Sequence, residues 1–407
     1  MNTYRKIGVI ADDFTGASDA ASFLAKSGAR VIMCNEIPGK MTADFDALVV
    51  ALKSRSAAKE EALAQSGQAL QFLREQGCEQ FYFKYCSTFD STPQGNIGVV
   101  MDTLMEALDV PYSLLCPSLP VNGRTVLNGI LYVNGQPLSE SPMKDHPLNP
   151  MWDSEIANLM RPQSHFPCEV MSREQMKTEW IEQLKQKHAK ERFYLIPDYE
   201  TDADGEQIAS LFGDLPLLSG GSGLLEYLYR GERHAHEDAE TAVHRAILLC
   251  ASCSQATKNQ VHAYQESGYP SVAVDAGALL DGTLDADSLF TWVKQQSMPV
   301  LIYSDAIDKD MQTLRTHSDF AACSAAMERF MAEMSRLAYA EGYERIVVAG
   351  GETSGAVIRA LGFESFFIER SVDPGVPILR PLDSPNHTLI LKSGNFGSRD
   401  FFKKASQ

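Results

Sequence analysis

Long apolar runs are missing from this sequence. No stretch of the 407 residues reaches the ~18 uninterrupted apolar positions that a spanning helix needs. Residues 1–6 also lack a basic segment leading into an apolar one, so the expectation is a cytoplasmic protein without membrane contact. Positive charge is scarce as well. Lys and Arg number 36 against 53 Asp and Glu, a formal net charge of −17, which repels polyanions and excludes nucleic acid as the main partner. Small anions remain admissible, because local cations and backbone N–H groups dominate at contact while salt screens distant charge beyond about 10 Å. A disulfide framework is absent too: the cysteines at 34, 78, 86, 116, 168, 250, 253 and 323 follow no regular spacing and read as reduced, mostly buried thiols. Neither a Walker Gly-Lys-Ser/Thr ending nor G-x-G-x-x-G after the first strand occurs, and the second absence speaks against a nicotinamide-dependent dehydrogenase.

What is present is ordinary globular material, 44% apolar and 22% charged, in a chain long enough for two or three domains. Short apolar runs at 7–11, 30–33, 48–52, 81–85 and 113–116 alternate with helical patterns such as 58–76 and 96–108, the texture of βαβ units. Two Asn-Gly pairs within 125–138 predict an antiparallel hairpin. Residues 140–151 read as a surface loop, 173–188, 204–212 and 224–229 as helices, and 193–196 and 215–218 as strands. The polar stretch 231–240 has no apolar periodicity, and beyond it strands near 246–250, 272–274, 300–303, 345–349 and 388–392 restart the alternation. The expectation is two α/β domains with mainly parallel sheets, 1–230 and 244–407, joined by a linker at 231–243 and facing a cleft.

Polar residues collect where strands end, the place where open parallel sheets bind ligands. Asp12 and Asp13 close the first strand and lead through Thr15-Gly16 into a helix. One carboxylate suffices to cap that helix, while phosphoryl transfer to an alcohol asks for an acid at the hydroxyl, so either role is open to each. The cluster Lys84, Ser87, Thr88, Asp90, Ser91 follows the strand 81–85 and suits a ligand with a carboxylate and several hydroxyls. Arg55 and Asn122-Gly-Arg124 lie just past two further strands. In the second half, Gly350-Gly351-Glu352-Thr353 follows 345–349, Ser252 and Ser254 follow 246–250, and Gly394-Asn395-Phe-Gly397 follows 388–391. Three strand ends rich in glycine or hydroxyls suggest a nucleotide cradle of backbone N–H groups, against the alternative of three independent turns. Cys250-x-x-Cys253 reads as buried thiol, and His234-x-His236 as part of a solvated charged run.

Asp12-Asp13-Phe-Thr-Gly-Ala17, the 84–96 cluster, Asn122-Gly-Arg124, Gly350–Gly355 and Lys392-Ser-Gly-Asn-Phe-Gly397, in that order over nearly the whole chain, resemble the four-carbon acid sugar kinase family. The wording of residues 86–98 most resembles its 3-oxo-tetronate kinase branch, with threonate or erythronate kinases as the alternative. The resemblance implies an N-terminal sugar-acid domain, a C-terminal ATP domain, and phosphorylation of the terminal 4-hydroxyl with ATP and Mg²⁺. On that view Asp12 or Asp13 positions or deprotonates the hydroxyl. Arg55, Lys84 and Arg124 are candidates for the carboxylate, and Ser87, Thr88, Asp90, Ser91 and Asn122 for the remaining polar groups. Ser252, Ser254, Gly350, Gly351, Glu352, Thr353, Gly394, Asn395 and Gly397 would hold the nucleotide. Metal ligands are not assignable from the sequence, and a homodimer is compatible with it. A non-catalytic two-domain sugar-acid-binding protein is the alternative of another class.

Overall fold

The computed structural model describes residues 5–39, 41, 43–145, 149–234, 245–308, 320–394 and 396–407. It divides into two compact units, Met1–Ala235 and His236–Gln407. The first contains strands β1 (Lys6–Ala11), β2 (Val31–Cys34), β3 (Ala47–Ala51), β4 (Cys78–Lys84), β5 (Tyr112–Leu114), β6 (Arg124–Leu127), β7 (Ile130–Val133), β8 (Gln136–Pro137), β9 (Cys168–Met171), β10 (Phe193–Pro197) and β11 (Leu217–Gly220). Its main sheet runs β11, β4, β1, β3, β2 with every pair parallel. These strands are buried almost throughout, as a parallel sheet covered on both faces requires, which is why they appear in sequence as continuous apolar runs. Helices α1 (Phe14–Lys26), α2 (Lys59–Glu75) and α3 (Ile97–Ala107) follow β1, β3 and β4. Helix α2 buries Ala62, Ser66, Ala69, Leu70 and Leu73, a stripe at helical spacing. Burying Leu73 alone contributes roughly 1.5–3 kcal/mol.

The predicted hairpin forms from β6, β7 and β8. Asn128-Gly129 and Asn134-Gly135 turn with φ of 51°, 78° and 51°, 80°, the left-handed pairs that a tight two-residue hairpin turn demands. Two expectations are corrected, and one strand pairs apart from the rest. The strand at 113–116 does not join the main sheet; as β5 it pairs with β10, which pairs with β9, in a separate parallel sheet. Its end still adjoins that of β11, through a Cys116–Gly220 bridge and a 2.6 Å bond from Ser219 Oγ to the Leu114 carbonyl. The segment 173–188 is not one helix: Ser172 and Gln175 form a capping box around a 3₁₀ turn, and only Thr178–Lys187 (α5, after α4 at Ile156–Met160) is α-helical. After α6 (Asp202–Phe212), the helix expected at 224–229 is a 3₁₀ segment, Gly223–Tyr227. Of the linker stretch, 235–244 lies outside the described residues; His234 donates its N–H to the Gly28 carbonyl at 2.9 Å and sits 3.3 Å from Asp46.

The second unit contains β12 (Ala246–Cys250), β13 (Ser271–Val274), β14 (Val300–Ser304), β15 (Arg345–Ala349), β16 (Ser365–Asp373), β17 (Val376–Pro381) and β18 (Thr388–Lys392). Its sheet runs β16, β17, β18, β15, β12, β14, β13. Pairing is parallel from β18 to β13 and antiparallel where β17 meets its two neighbours. The β16–β17 hairpin was not read from the sequence. Helices α7 (Gln255–Glu266), α8 (Ala276–Leu280), α9 (Ala286–Val293), α10 (Phe320–Ala340), α11 (Gly351–Leu361) and α12 (Phe401–Ala405) cover the sheet. The chain passes from β14 on one side of β12 to β15 on the other, so the carboxyl ends of β12, β14 and β15 surround a topological switch point.

Candidate functional site

In the first unit, β1 delivers Asp12 and Asp13 to the carboxyl edge of the sheet. Asp13 caps α1: Oδ1 accepts the Gly16 N–H at 3.0 Å and Oδ2 the Thr15 hydroxyl at 2.7 Å. Arg55, just past β3, donates to Asp12 through Nε at 2.9 Å and NH2 at 2.8 Å, and to Asp13 through NH2 at 2.6 Å. One guanidinium thus orders both acids, and its NH1 lies 3.9 Å from Asp90. Burial acts most strongly on both carboxyls. It leaves Asp12 above the ordinary carboxylate range despite Arg55, whereas Arg55, Lys84, Thr15 and Gly16 together hold Asp13 below it. Asp12 is therefore the more basic of the pair, and Asp13 the cap.

Strand β4 delivers Lys84, adjacent to Asp12 through the Asp12 N–H bond to its carbonyl at 3.0 Å. The Lys84 side chain is buried, with Nζ 3.0 Å from the Tyr85 carbonyl and 4.0 Å from Asp19. Asp19, one and a half turns into α1, escaped the sequence reading. It accepts a short hydrogen bond from Ser222 Oγ, and burial, offset by Lys84, Ser222 and Arg124, pushes its carboxyl up to about 6. Ser222 belongs to the Gly-Ser turn after β11, and the strand-end rule applied to that turn could have found it; Asp19 offered no such signal. The rest of the 84–96 cluster divides. Phe89 is fully buried at φ 51° and packs edge-on against Tyr85, fixing the turn in a conformation a bulky residue rarely adopts. Ser91 Oγ faces Gln163 and the Thr92 carbonyl, Thr88 Oγ1 lies 3.0 Å from Cys86 Sγ, and Asp90 accepts from Asn149 at 2.7 Å. Ser91 and Thr88 are buried in these contacts. Ser87 is half-buried with no corresponding bond.

Arg124 differs from the other two cations. No carboxylate among the described residues lies within ion-pair distance of it. Burial draws its guanidinium below its ordinary range, with Cys86 and Asp19 acting the other way. Its NH1 donates to the Asn122 carbonyl, while Nε is buried without a partner. Asn122 Nδ2, Ser118 Oγ and Asp19 Oδ1 are also buried and unpartnered. Leaving such groups unsatisfied costs ~1–3 kcal/mol each, more when charged, and Arg124, which feels the Asp19 charge and donates to Asn122, is chemically suited to a small polar acid.

In the second unit, β12, β15 and β18 bring Ser252, Gly350 and Gly394 together. Gly350 has φ 130°, a conformation side chains rarely adopt, and donates its N–H to the Lys392 carbonyl at 2.9 Å; α11 begins at the next residue, with Glu352 and Thr353 in its first turn. A Cβ on Gly394 would stand 2.8 Å from Ser252 Oγ, so a side chain there would have to push Ser252 aside where the two strand ends approach. Ser254 caps α7 by accepting the Thr257 N–H at 3.3 Å, and its hydroxyl also reaches the Gly394 carbonyl. Asn395 lies outside the described residues, and Gly397 follows with its carbonyl held by Gln260 Nε2 at 2.9 Å. Beside this cradle, a cavity of about 290 Å³ extends under the ends of β13 and β14, lined by Asp275, Asp305, Phe320, Met327 and Glu352. Cys250 is buried and Cys253 partly so; burial raises both thiols, which fits packing better than redox chemistry. No group of three His, Cys, Asp or Glu among the described residues could hold a metal ion. No helix among the described residues is long and apolar enough to cross a membrane.

Comparison with known proteins agrees with this division. Residues 7–228 match the sugar-binding N-terminal domain family and residues 247–402 the nucleotide-binding C-terminal domain family. The chain is 40% identical to a 3-oxo-tetronate kinase of Brucella melitensis, covering 99% of this chain and 95% of that one. It is 39% identical to one of Salmonella typhimurium, covering 99% of each. Among solved structures, a Haemophilus influenzae protein superposes with a TM-score of 0.80 at 37% identity, and a Salmonella typhimurium LT2 protein, provisionally labelled a tRNA synthase, with 0.86 at 38%; each match covers 98% of both chains. The chain belongs to the four-carbon acid sugar kinase family, with a sugar-binding domain at its N-terminal end and a nucleotide-binding domain at its C-terminal end.

Proposed function

We propose that the protein transfers the γ-phosphoryl group of ATP to the terminal 4-hydroxyl of 3-oxo-tetronate. The observation that carries the substrate class is Arg124, a half-buried guanidinium without an acid partner among the described residues, whose Nε is buried and unpartnered. Arg55 and Lys84 are engaged by Asp12, Asp13 and Asp19, which leaves Arg124 to take the substrate carboxylate. Asn122 Nδ2 and Asp19 Oδ1 read the substrate's oxo and hydroxyl groups. Asp12, held in orientation by the Arg55 fork and made more basic by burial, accepts the hydroxyl proton. The hydroxyl oxygen then bonds to the γ-phosphorus as the bond to ADP breaks.

The strand-end cradle of Ser252, Ser254, Gly350, Gly351, Thr353 and Gly394 holds the phosphates, and the cavity beside it takes the nucleoside, with Asp275 and Asp305 available to ribose hydroxyls. Mg²⁺ supplies charge neutralisation on the phosphates, and Glu352 is the acidic side chain nearest the cradle in sequence that could contact it. The boundary between the domains falls within 231–243, which neither matched range reaches. A cytoplasmic location belongs to the same proposal, because ATP is supplied there. Support for the substrate also comes from the relatives at about 40% identity over full length, which are named 3-oxo-tetronate kinases. A coupled ADP-release assay with 3-oxo-tetronate, threonate and erythronate tests it. The 3-oxo acid should turn over fastest, and preference for either saturated acid would move the protein to another branch.

A further inference from the structure

Lys392 closes β18 with its side chain fully buried, and no acid among the described residues lies within ion-pair distance of it. Its three N–H bonds go to Thr257 Oγ1 at 2.9 Å, the Ser393 carbonyl at 3.0 Å and the Gly394 carbonyl at 3.0 Å. The groups facing it from neighbouring elements are Thr257 on α7, the Cys250 thiol on β12 and the Phe401 ring on α12, 5.8 Å away; none carries negative charge, since burial pushes Cys250 up to about 12. A buried ammonium without a counter-charge is costly, and a protein keeps one where a partner arrives from outside. In a trans peptide, N–H and the preceding C=O point opposite ways, so drawing the Ser393 carbonyl inward turns the Gly394 N–H away from Lys392. Further along, Gln260 Nε2 takes the Phe396, Gly397 and Ser398 carbonyls at 2.9–3.1 Å, while the Ser398 N–H goes to Asp373.

We propose that Lys392 is the positioning residue of the phosphate site: it turns the β18 loop so that backbone N–H groups face the ligand, and its buried charge is balanced only by the phosphates of a bound nucleotide. The proposal rests on the nucleotide-binding role of this domain. It ties nucleotide affinity to the protonation of a group that never touches the ligand. Burial draws the Lys392 ammonium down to about 8. An incoming polyphosphate restores its affinity for a proton, so near pH 8 nucleotide binding is accompanied by net proton uptake. Phosphate oxygens, with a second pKa of about 6, are already ionised there and cannot supply that uptake.

The test is isothermal titration of the full chain with ADP at pH 8, in two buffers of different ionisation enthalpy, for wild type, Lys392→Met and Lys392→Arg. The proposal expects proton uptake in wild type and none in the Met variant, with ADP affinity lowered ~10–100-fold in Met, partly restored in Arg, and sugar-acid affinity unchanged. Wild-type binding without uptake overturns it, even if the Met variant does not fold. So does a folded Met variant with native ADP affinity. Absence of ADP binding in wild type would overturn the nucleotide role itself, and the proposal with it.

Discussion

Asp12 and Asp13 are adjacent in sequence and share Arg55, yet the proposed function gives them different duties, and replacing each by Asn separates these. In Asp13→Asn the cap survives, because Asn serves at that position about as well as Asp. Arg55 keeps both bonds to Asp12. Stability should fall by no more than about 1 kcal/mol and turnover by less than ~10-fold. In Asp12→Asn one of the two oxygens facing the Arg55 fork becomes an NH₂ group, and the acceptor for the hydroxyl proton disappears. A lost general base typically costs ~10²–10⁴-fold, or about 3–5 kcal/mol of barrier at 1.36 kcal/mol per decade. Steady-state kinetics with saturating ATP, Mg²⁺ and sugar acid, beside thermal melts of both variants, read the two quantities separately. Wild type should also lose turnover as pH falls through the raised Asp12 pKa, since a base must be deprotonated to act. Equal losses in the two variants, or a larger loss in Asp13→Asn, would refute the division of labour.

Other outcomes follow from the same geometry. Arg124→Met should raise KM for the sugar acid by ~10²-fold, the scale of a buried charge-assisted pair, with KM for ATP unchanged; an unaffected KM would remove Arg124 from the carboxylate site. Asp19 is raised to about 6 from an ordinary 3.8, so the native state binds more protons than the unfolded chain between these values, and ionised Asp19 destabilises the fold above pH 6. Asp19→Asn should therefore raise the melting temperature at pH 7.5 but not at pH 4, while weakening sugar-acid binding; a lower melting temperature at pH 7.5 would contradict this. Gly394→Ala places a methyl 2.8 Å from Ser252 Oγ and should weaken ADP binding by ~10-fold with the circular dichroism spectrum unchanged. Native affinity in that variant would show that the cradle tolerates a side chain.

The sequence disclosed most of the scaffold, because strands of a doubly covered parallel sheet write themselves as continuous apolar runs, as 7–11 and 345–349 do. It also disclosed the hairpin turns, where Asn-Gly leaves little freedom. It hid β9, whose four residues are mostly half-exposed and carry no alternation, and so the separate sheet that β5 joins. The β16–β17 hairpin was hidden for a related reason: β16 is broken by register shifts after Ile368, so its pattern slips between faces. At the site, strand-end motifs led to Asp12, Arg55 and Arg124. What they could not show was which cations are already spent on neighbouring acids, because Arg55 meets Asp12 across 43 positions and Ser222 meets Asp19 across 203. Ser91 and Thr88 look the same in sequence as ligand-facing hydroxyls. Their burial against Gln163 and Cys86 is visible only in the structure.

The most direct test of the central claim is the identity of the product. Incubated with 3-oxo-tetronate, ATP and Mg²⁺, the protein should yield ADP and one new phosphate monoester whose phosphorus couples, in ³¹P NMR, to the two protons of a terminal CH₂ group. Phosphorus coupled to a single CH proton, an acyl phosphate on the carboxylate, or ATP left unconsumed would contradict the account.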